Sequence, residues 1–242
     1  MTAIHRPICI DIYHGDEVSD SPTPLAGLDR AKGAGIFALI HKASEGVSGR
    51  DPRYDRRREK WMSGPAVTVP ETDGSVLKLP PVFGAYHFFH GQDPVAEAGN
   101  FLMTARLENM DMPFVDWEAV GASGYHPSAE MADVFCSEVE ERLGRACGVY
   151  GGNVPREAFD RDCPPELADR FAARPLWFCS YGRAMAALPL PWRETTPLLW
   201  QDDGDRYGPG PHAIPGISGY CDNSTVVDPV TVSKLYDLWT GA

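Results

Sequence analysis

No apolar run in this 242-residue chain approaches the roughly 18 residues that a helix needs to cross a membrane, so no membrane insertion is expected. Basic residues are scarce. The 22 Lys and Arg face 34 Asp and Glu, for a formal net charge of −12 at pH 7. Nucleic acid is therefore not an expected partner, because phosphate contacts need clustered cations. The one basic run, Arg53 to Lys60, is interrupted by Tyr54, Asp55 and Glu59 and reads as the solvated face of a helix. The cysteines, at positions 9, 136, 147, 163, 179 and 221, include no Cys-x-x-Cys pair and match no zinc spacing. Cys9 and Cys179 sit in apolar, strand-like segments where a thiol behaves as a small hydrophobe. Most of the six are read as buried thiols, and a pairing between two loop cysteines stays open. The N-terminal stretch from Met1 to Pro7 lacks the apolar core and small-residue cleavage site of a signal peptide. The expectation is synthesis in the cytoplasm. No internal repeat is visible.

What is present is alternation. Short apolar runs occur at 8–13, 36–41, 82–88, 113–118, 148–151, 176–181, 198–201 and around 220–222. Helix-like segments lie between several of them. Asp93-Pro94 opens one, with Asp93 as N-cap, Pro94 at the first helical position, and Ala96, Phe101, Leu102 and Ala105 at helical spacing. A second spans Pro127 to Gly144, with Ser128 as cap and Met131, Val134, Phe135, Val139 and Leu143 as its stripe. A third lies near Pro165 to Ala173. A last one, Pro229 to Trp239, carries Val232, Leu235, Tyr236 and Trp239 on one face. Strands alternating with helices imply parallel β/α units. About eight such strands predict an α/β fold, an irregular single-domain (β/α) barrel over residues 1–242. Two stretches interrupt the pattern. Residues 64–81 read as an inserted loop or small hairpin, and residues 202–215 as a long loop.

In such a barrel the reactive groups gather at the C-terminal ends of the strands. The candidate strand ends carry Asp11, then His41-Lys42 leading to Glu45, then Tyr86-His87, Asp116-Trp117-Glu118, Trp200-Gln201 and Asp222-Asn223. Residues i and i+2 of a strand point to one face. Asp116 and Glu118 would thus stand together, with Trp117 turned away. Nearby like charges raise the pKa of one member, which leaves a proton donor beside an ionised carboxylate, the pair that glycosidic bond cleavage needs. A lone Asp-x-Glu is also common as a solvated strand end. Asp11 lies in an apolar run and needs a partner there, with a buried base such as Lys42 as the structural reading. Asp222 has a turn-forming role as its alternative. Trp177, Tyr181 and Trp200 add aromatic surface of the kind that pyranose faces stack on.

Taken in order, these segments resemble glycoside hydrolase family 25, the Chalaropsis-type lysozymes, which include phage endolysins. Ile10-Asp11-Ile12 is similar to the family's first-strand Asp segment, and His41-Lys42-Ala43-Ser44-Glu45-Gly46 to its second-strand motif. Gly84-Ala85-Tyr86-His87-Phe88 resembles its Gly-x-Tyr-His-Phe, and Asp116-Trp117-Glu118 its Asp-x-Glu. Leu176-Trp177-Phe178-Cys179-Ser180-Tyr181, Trp200-Gln201 and Asp222-Asn223-Ser224 are similar to the closing segments. The resemblance runs from about residue 8 to about residue 226. It implies hydrolysis of the β-1,4 bond between N-acetylmuramic acid and N-acetylglucosamine in bacterial peptidoglycan strands. It implies Glu118 as general acid, and Asp116 as a second carboxylate that stabilises charge or orients the substrate acetamido group. Asp11 and Asp222 would complete the acidic site. Tyr86, His87, Lys42, Glu45, Trp177, Tyr181, Trp200 and Gln201 are the candidate substrate-binding residues. No metal or other cofactor is expected. With no signal peptide, action at the cell wall would follow release or delivery, as for an endolysin. A non-catalytic glycan-binding module on the same fold, or a hydrolase of another polysaccharide such as chitin, also fits the residues.

Overall fold

A computed structural model describes residues 7–71, 73–160, 163–204 and 206–241. The N-terminal residues read for a signal peptide lie, but for Pro7, outside the described residues. Eight strands form a closed barrel: β1 (Cys9–Ile12), β2 (Ala38–Glu45), β3 (Val82–Phe88), β4 (Asp111–Asp116), β5 (Gly148–Gly151), β6 (Leu176–Cys179), β7 (Leu199–Asp203) and β8 (Asp222–Thr225). Neighbours from β1 through β7 pair parallel in chain order. The eighth strand departs from that rule. It runs antiparallel to both β7 and β1 and closes the ring between them. Tyr220–Asp222 reads from sequence as the end of the last strand. Asp222 is instead its first residue, and the reversed direction still brings it to the same rim as the C-terminal ends of the others.

The period-two pattern sorts the side chains. One set, including Cys9, Ile40, Phe114, Tyr150, Trp177 and Leu199, packs in the barrel interior. The other, including Ile10, Leu39, Phe83, Val115, Trp117 and Trp200, packs outward against helices. Those helices are α1 (Ala26–Gly33), α2 (Tyr54–Met62), α3 (Pro94–Ala105), α4 (Ala129–Leu143), α5 (Asn153–Phe159), α6 (Pro165–Ala172) and α7 (Val232–Thr240). Asp93 caps α3 through Ala96 N at 3.1 Å, and Ser128 caps α4 through Met131 N at 3.3 Å, as their sequences predict. Val134 departs from the expected α4 stripe and is exposed, because it falls on the side of the helix away from Phe135 and Val139. The last helix begins at Val232 rather than Pro229, with Thr231 as its cap. Residues 64–81 contain a two-stranded hairpin, Val67–Pro70 against Val76–Leu79. The Glu71 carboxylate in its turn accepts from the backbone of Val232 and Ser233 and so ties the hairpin to α7. Trp239 of α7 donates to Phe83 O at 2.9 Å and closes the bottom of the barrel.

Two buried cations shape the outer layer. Arg174 donates to Asp133 and Glu140 of α4 at 2.8 and 2.9 Å and stacks over Phe171. Removing one partner of such a cluster leaves charges uncompensated. Arg174→Met is expected to lower unfolding stability by on the order of 3 kcal/mol, read as a drop in the urea midpoint. An unchanged midpoint would show that α4 is held by its apolar face alone. The second is Arg57. The Arg53–Lys60 run does form a helix, but its face is not all solvated: Arg57 is 2% exposed. Its guanidinium donates to Tyr13 O at 2.7 Å and Asp16 O at 2.5 Å, and lies 3.2 Å from His41 Nε2. It therefore braces the loop that follows β1. All six cysteines are free, and Cys163 and Cys179 are the least buried of them. No helix among the described residues is long and apolar enough to cross a membrane.

Candidate active site

A cavity of about 360 Å³ opens at the rim where the parallel strands end. Its lining includes Asp11, Lys42, Tyr86, Asp116, Glu118, Trp177 and Asp222, all singled out in the sequence. Alternation accounts for the inward direction of each. Asp116 ends β4, and Trp117 N still donates to Tyr150 O at 3.0 Å, so the pleat continues one step further and Glu118 returns to the interior face. Trp117 between them points outward and stacks on Phe171, 5.6 Å between centroids. Asp11 and Asp222 face each other directly across the β1–β8 ladder. Like charges placed opposite in an antiparallel pair repel, so this pairing is a cost that the fold carries.

The electrostatics follow from crowding five carboxylates, Asp11, Asp16, Asp116, Glu118 and Asp222, into one partly buried cleft. Burial raises the pKa of Asp11, and the neighbouring charge of Asp222 raises it further. Burial also raises Asp116, with Glu118 and then Asp11 adding to the effect and Lys42 opposing it. Glu118 is raised by burial and by Asp222. Burial and the Asp116 charge keep the Tyr86 hydroxyl protonated. Asp116 Oδ1 is buried and has no hydrogen-bond partner. Among the described residues, no hydrogen bond reaches the Glu118 carboxylate either. Two unpartnered carboxyl groups on one interior face are therefore left for a ligand or for water.

Asp11 is held differently. Tyr150 OH donates to Gln201 Oε1 at 2.8 Å, and Gln201 Nε2 donates to Asp11 Oδ2 at 2.8 Å. This chain replaces the expected pairing of Asp11 with Lys42, which instead contacts Glu45. Gln201 thus orients a carboxylate and does not line the cavity. Gln201→Leu is expected to leave Asp11 unrestrained and to cut kcat/KM by about 10–100-fold, the range for a misplaced active-site group. Steady-state kinetics beside a melting curve would check it, and full activity in a folded variant would remove Gln201 from any positioning role.

Besides Gln201, three more of the expected binding residues lie outside both clefts. His87 is fully buried on the outer side of β3, between Ser44 Oγ at 2.8 Å and Glu97 Oε2 at 3.0 Å, and stacks on Phe135. The rule that turns Tyr86 inward turns His87 outward. Trp200 is outward for the same reason beside Gln201, with its Nε1 donating to Ser180 O at 2.8 Å. Glu45 stands at the end of β2 against Lys42, outside the cavity lining. Residues that the sequence did not flag also line the cleft: Tyr13, Asp16, Phe88, Tyr150 and Tyr220. Tyr150 carried a weak signal, as the only large polar side chain of Gly148–Gly151.

A second cleft, of about 630 Å³, begins where the first one ends, and Glu118 borders both. Its walls include Asn153, Arg156, Ser180 and Tyr181. The stacked ring of Tyr207 extends Tyr181 outward, 6.3 Å between centroids and 10° between planes. Gly152 on this wall must be glycine: a Cβ there would meet Cys179 O at 2.4 Å. Among the described residues no cluster of three or more His, Cys, Asp or Glu side chains is arranged to hold a metal ion.

The family model "Glycosyl hydrolases family 25" matches residues 80–208. Among solved structures, the chain is similar to a muramidase from Acremonium alcalophilum, with 20% identity, TM-score 0.69, and 98% of this chain and 100% of that one covered. It is also similar to a bacterial lysozyme from Streptomyces coelicolor, with 18% identity, TM-score 0.71 and coverage of 98% and 99%. The catalytic domain of endolysin ply40 from bacteriophage P40 of Listeria monocytogenes matches at 17% identity and TM-score 0.62, with 98% of each chain covered. No curated protein sequence matches. At these identities the structural likeness establishes the fold, a closed eight-stranded barrel with surrounding helices.

Proposed function

Since this chain belongs to glycosyl hydrolases family 25, we propose that it is a muramidase, a peptidoglycan hydrolase that cleaves the β-1,4 bond between N-acetylmuramic acid and N-acetylglucosamine. The observation that carries this reading is the position of Glu118, a carboxyl group with a raised pKa at the junction of two clefts. A glycan strand laid along both clefts places one glycosidic oxygen beside that carboxyl group. The muramic acid ring then occupies the carboxylate-lined cavity, and the leaving sugar occupies the cleft walled by Asn153, Arg156 and Tyr181.

Glu118 donates its proton to the glycosidic oxygen as the bond to the anomeric carbon breaks. The leaving sugar departs as a neutral alcohol, and positive charge gathers on the ring left behind. Asp116 faces that ring. Its unpartnered Oδ1 is placed to accept from the acetamido N–H or to stabilise the developing charge. Asp11, fixed by Gln201, and Asp222 add negative potential from the opposite strands. Tyr86, kept as a phenol, supplies a hydrogen-bond donor in the same cavity. Water completes the reaction at the anomeric carbon, and the Glu118 carboxylate regains a proton. Bacterial cell wall is the site of action on this reading, and the catalytic unit is the chain 1–242.

The deciding experiment incubates the protein with purified peptidoglycan and follows both turbidity and the mass of released fragments. Muramic acid at the new reducing ends is the expected product. N-acetylglucosamine there would assign a different bond, and no new reducing ends at any pH would assign a glycan-binding module.

A further inference from the structure

The aromatic wall of the second cleft continues past its edge. Tyr181 lines that cleft and Tyr207 does not, yet their rings lie in nearly parallel planes, 10° apart. Centroids separated by 6.3 Å in such planes are offset and not eclipsed, so the two faces run on as one strip. Tyr207 is 67% exposed, more than any other large hydrophobic side chain among the described residues. A single exposed aromatic is ordinary on a protein surface. What sets this one apart is how firmly its turn is held. Directly after β7, Gly204 N donates to Tyr207 O at 2.9 Å, and Tyr207 N donates to Gly204 O at 2.8 Å. The Tyr181 ring lies against Gly204, where a Cβ would come within 2.5 Å of it. The buried Asp203 carboxylate accepts from Gly210 N at 2.5 Å and ties down the far side of the loop. Arg206 lies over the ring of Tyr220, 5.3 Å from its centroid, and Tyr220 lines the first cavity. The turn is thus fastened to the rims of both clefts, and the Tyr207 ring is set in position before any ligand arrives.

We propose that Tyr207 stacks on the second sugar of the leaving group, continuing the wall that Tyr181 forms for the first. The placement rests on the muramidase reading above, which lays the leaving sugar in the cleft walled by Tyr181. In an alternating strand that second sugar is N-acetylmuramic acid. The ring substituents of these β-linked sugars are equatorial, so both faces of each ring present only C–H bonds and either face packs flat on an aromatic ring. The offset between the two tyrosines is comparable with the length of one sugar in a β-1,4-linked strand, so successive sugars meet successive rings. Stacking of this kind needs no cation, and the net charge of −12 does not oppose it. Because the Tyr207 ring is already fixed, little conformational freedom is lost on contact. Binding energy gained there, remote from the breaking bond, is available to raise kcat/KM on longer glycans.

The test compares two defined glycans. One is a trisaccharide that ends at the N-acetylglucosamine after the scissile bond, and the other is the tetrasaccharide that adds one N-acetylmuramic acid. Calorimetric titration of Glu118→Gln, which holds both without turning them over, is expected to show the tetrasaccharide bound about tenfold more tightly. Adding Tyr207→Ala, which removes an exposed ring and keeps the backbone pair of the turn, is expected to bring that ratio close to one. Tyr207→Phe keeps the ring and should keep the ratio. So should Tyr125→Ala, at an exposed tyrosine that lines neither cleft. Melting curves confirm that all variants fold. Equal affinities for the two glycans, an undiminished ratio in Tyr207→Ala, or loss of the ratio in Tyr207→Phe would each overturn the proposal. Cleavage of both glycans by the chain with Glu118 intact is measured alongside, with kcat/KM expected to follow the same ratio. Cleavage without preferential binding of the tetrasaccharide sinks only the stacking role of Tyr207, and preferential binding without cleavage sinks only the muramidase reading.

Discussion

Glu118→Gln is expected to abolish measurable cleavage of peptidoglycan, a loss of about 10²–10⁴-fold, the contribution of a positioned general acid. Glutamine keeps the shape and cannot donate the proton. No hydrogen bond holds the Glu118 carboxyl among the described residues, so the fold loses nothing when it is replaced. The variant should therefore melt at or above the wild-type temperature and still bind intact glycan. The pH dependence has a defined sign. On the proposed mechanism Glu118 acts in its protonated form, and both burial and the charge of Asp222 raise its pKa. Activity should thus persist above the ordinary glutamic acid value of about 4.3 and decline on the alkaline side as the proton is lost. A variant with near wild-type turnover, or a wild-type rate that rises through that alkaline limb, would end the assignment of Glu118 as the acid.

Asp116→Asn should separate stability from activity. The Asp116 carboxyl is raised in the folded protein by burial, by Glu118 and by Asp11. A raised value means that ionisation disfavours the folded state. The stability of the neutral form is fully present below the unfolded value of about 3.9 and is lost as pH rises through the folded one. Asparagine does not ionise and keeps that stability at neutral pH. The expected result is a higher Tm at pH 7, by about 2–4 °C for each kcal/mol of repulsion relieved, shrinking to nothing in acid. Turnover should fall by about 10²–10³-fold, as when one preorganised electrostatic group is removed. Such a trade of activity for stability is what a strained site predicts. A lower Tm at pH 7 would show that the Asp116 carboxylate is stabilised by its surroundings, contrary to the geometry.

The parts of this site legible in the sequence are those governed by the period of a strand. Asp11, Tyr86, Asp116 and Glu118 each sit at the end of an apolar run, where spacing of two alone says which residues share a face. The same rule, applied strictly, separates Tyr86 from His87 and Gln201 from Trp200. The motif resemblance groups each pair together, and the pleat parts them. Direction is a different matter. Nothing local in Tyr220–Thr225 distinguishes a strand that ends at Asp222 from one that begins there; only the two antiparallel ladders to β1 and β7 decide it. The task of Tyr150, as distinct from its polar character, was not legible for a related reason, since it is defined by Gln201, 51 residues away in sequence. Arg57 hid in a mixed-charge run, where composition points to solvent. Its burial follows from the carbonyls of a distant loop, which no pattern within α2 announces. The proline-rich stretch 64–81 was legible as a hairpin or loop, and its tie to α7 through Glu71 was not.

The seam between β1 and β8 has a consequence in time. Asp11 and Asp222 meet directly across it, although the chain between them makes up nearly the whole barrel. Such a non-local pairing forms late in folding, after the local β/α units have collapsed. During synthesis, the ribosome has released the other four carboxylates of the cavity long before residue 222 emerges. Until that final strand docks, Asp11 has no neighbour across the ladder and the cavity lacks one wall. The acidic site is therefore complete only once β8 has closed the ring between β1 and β7.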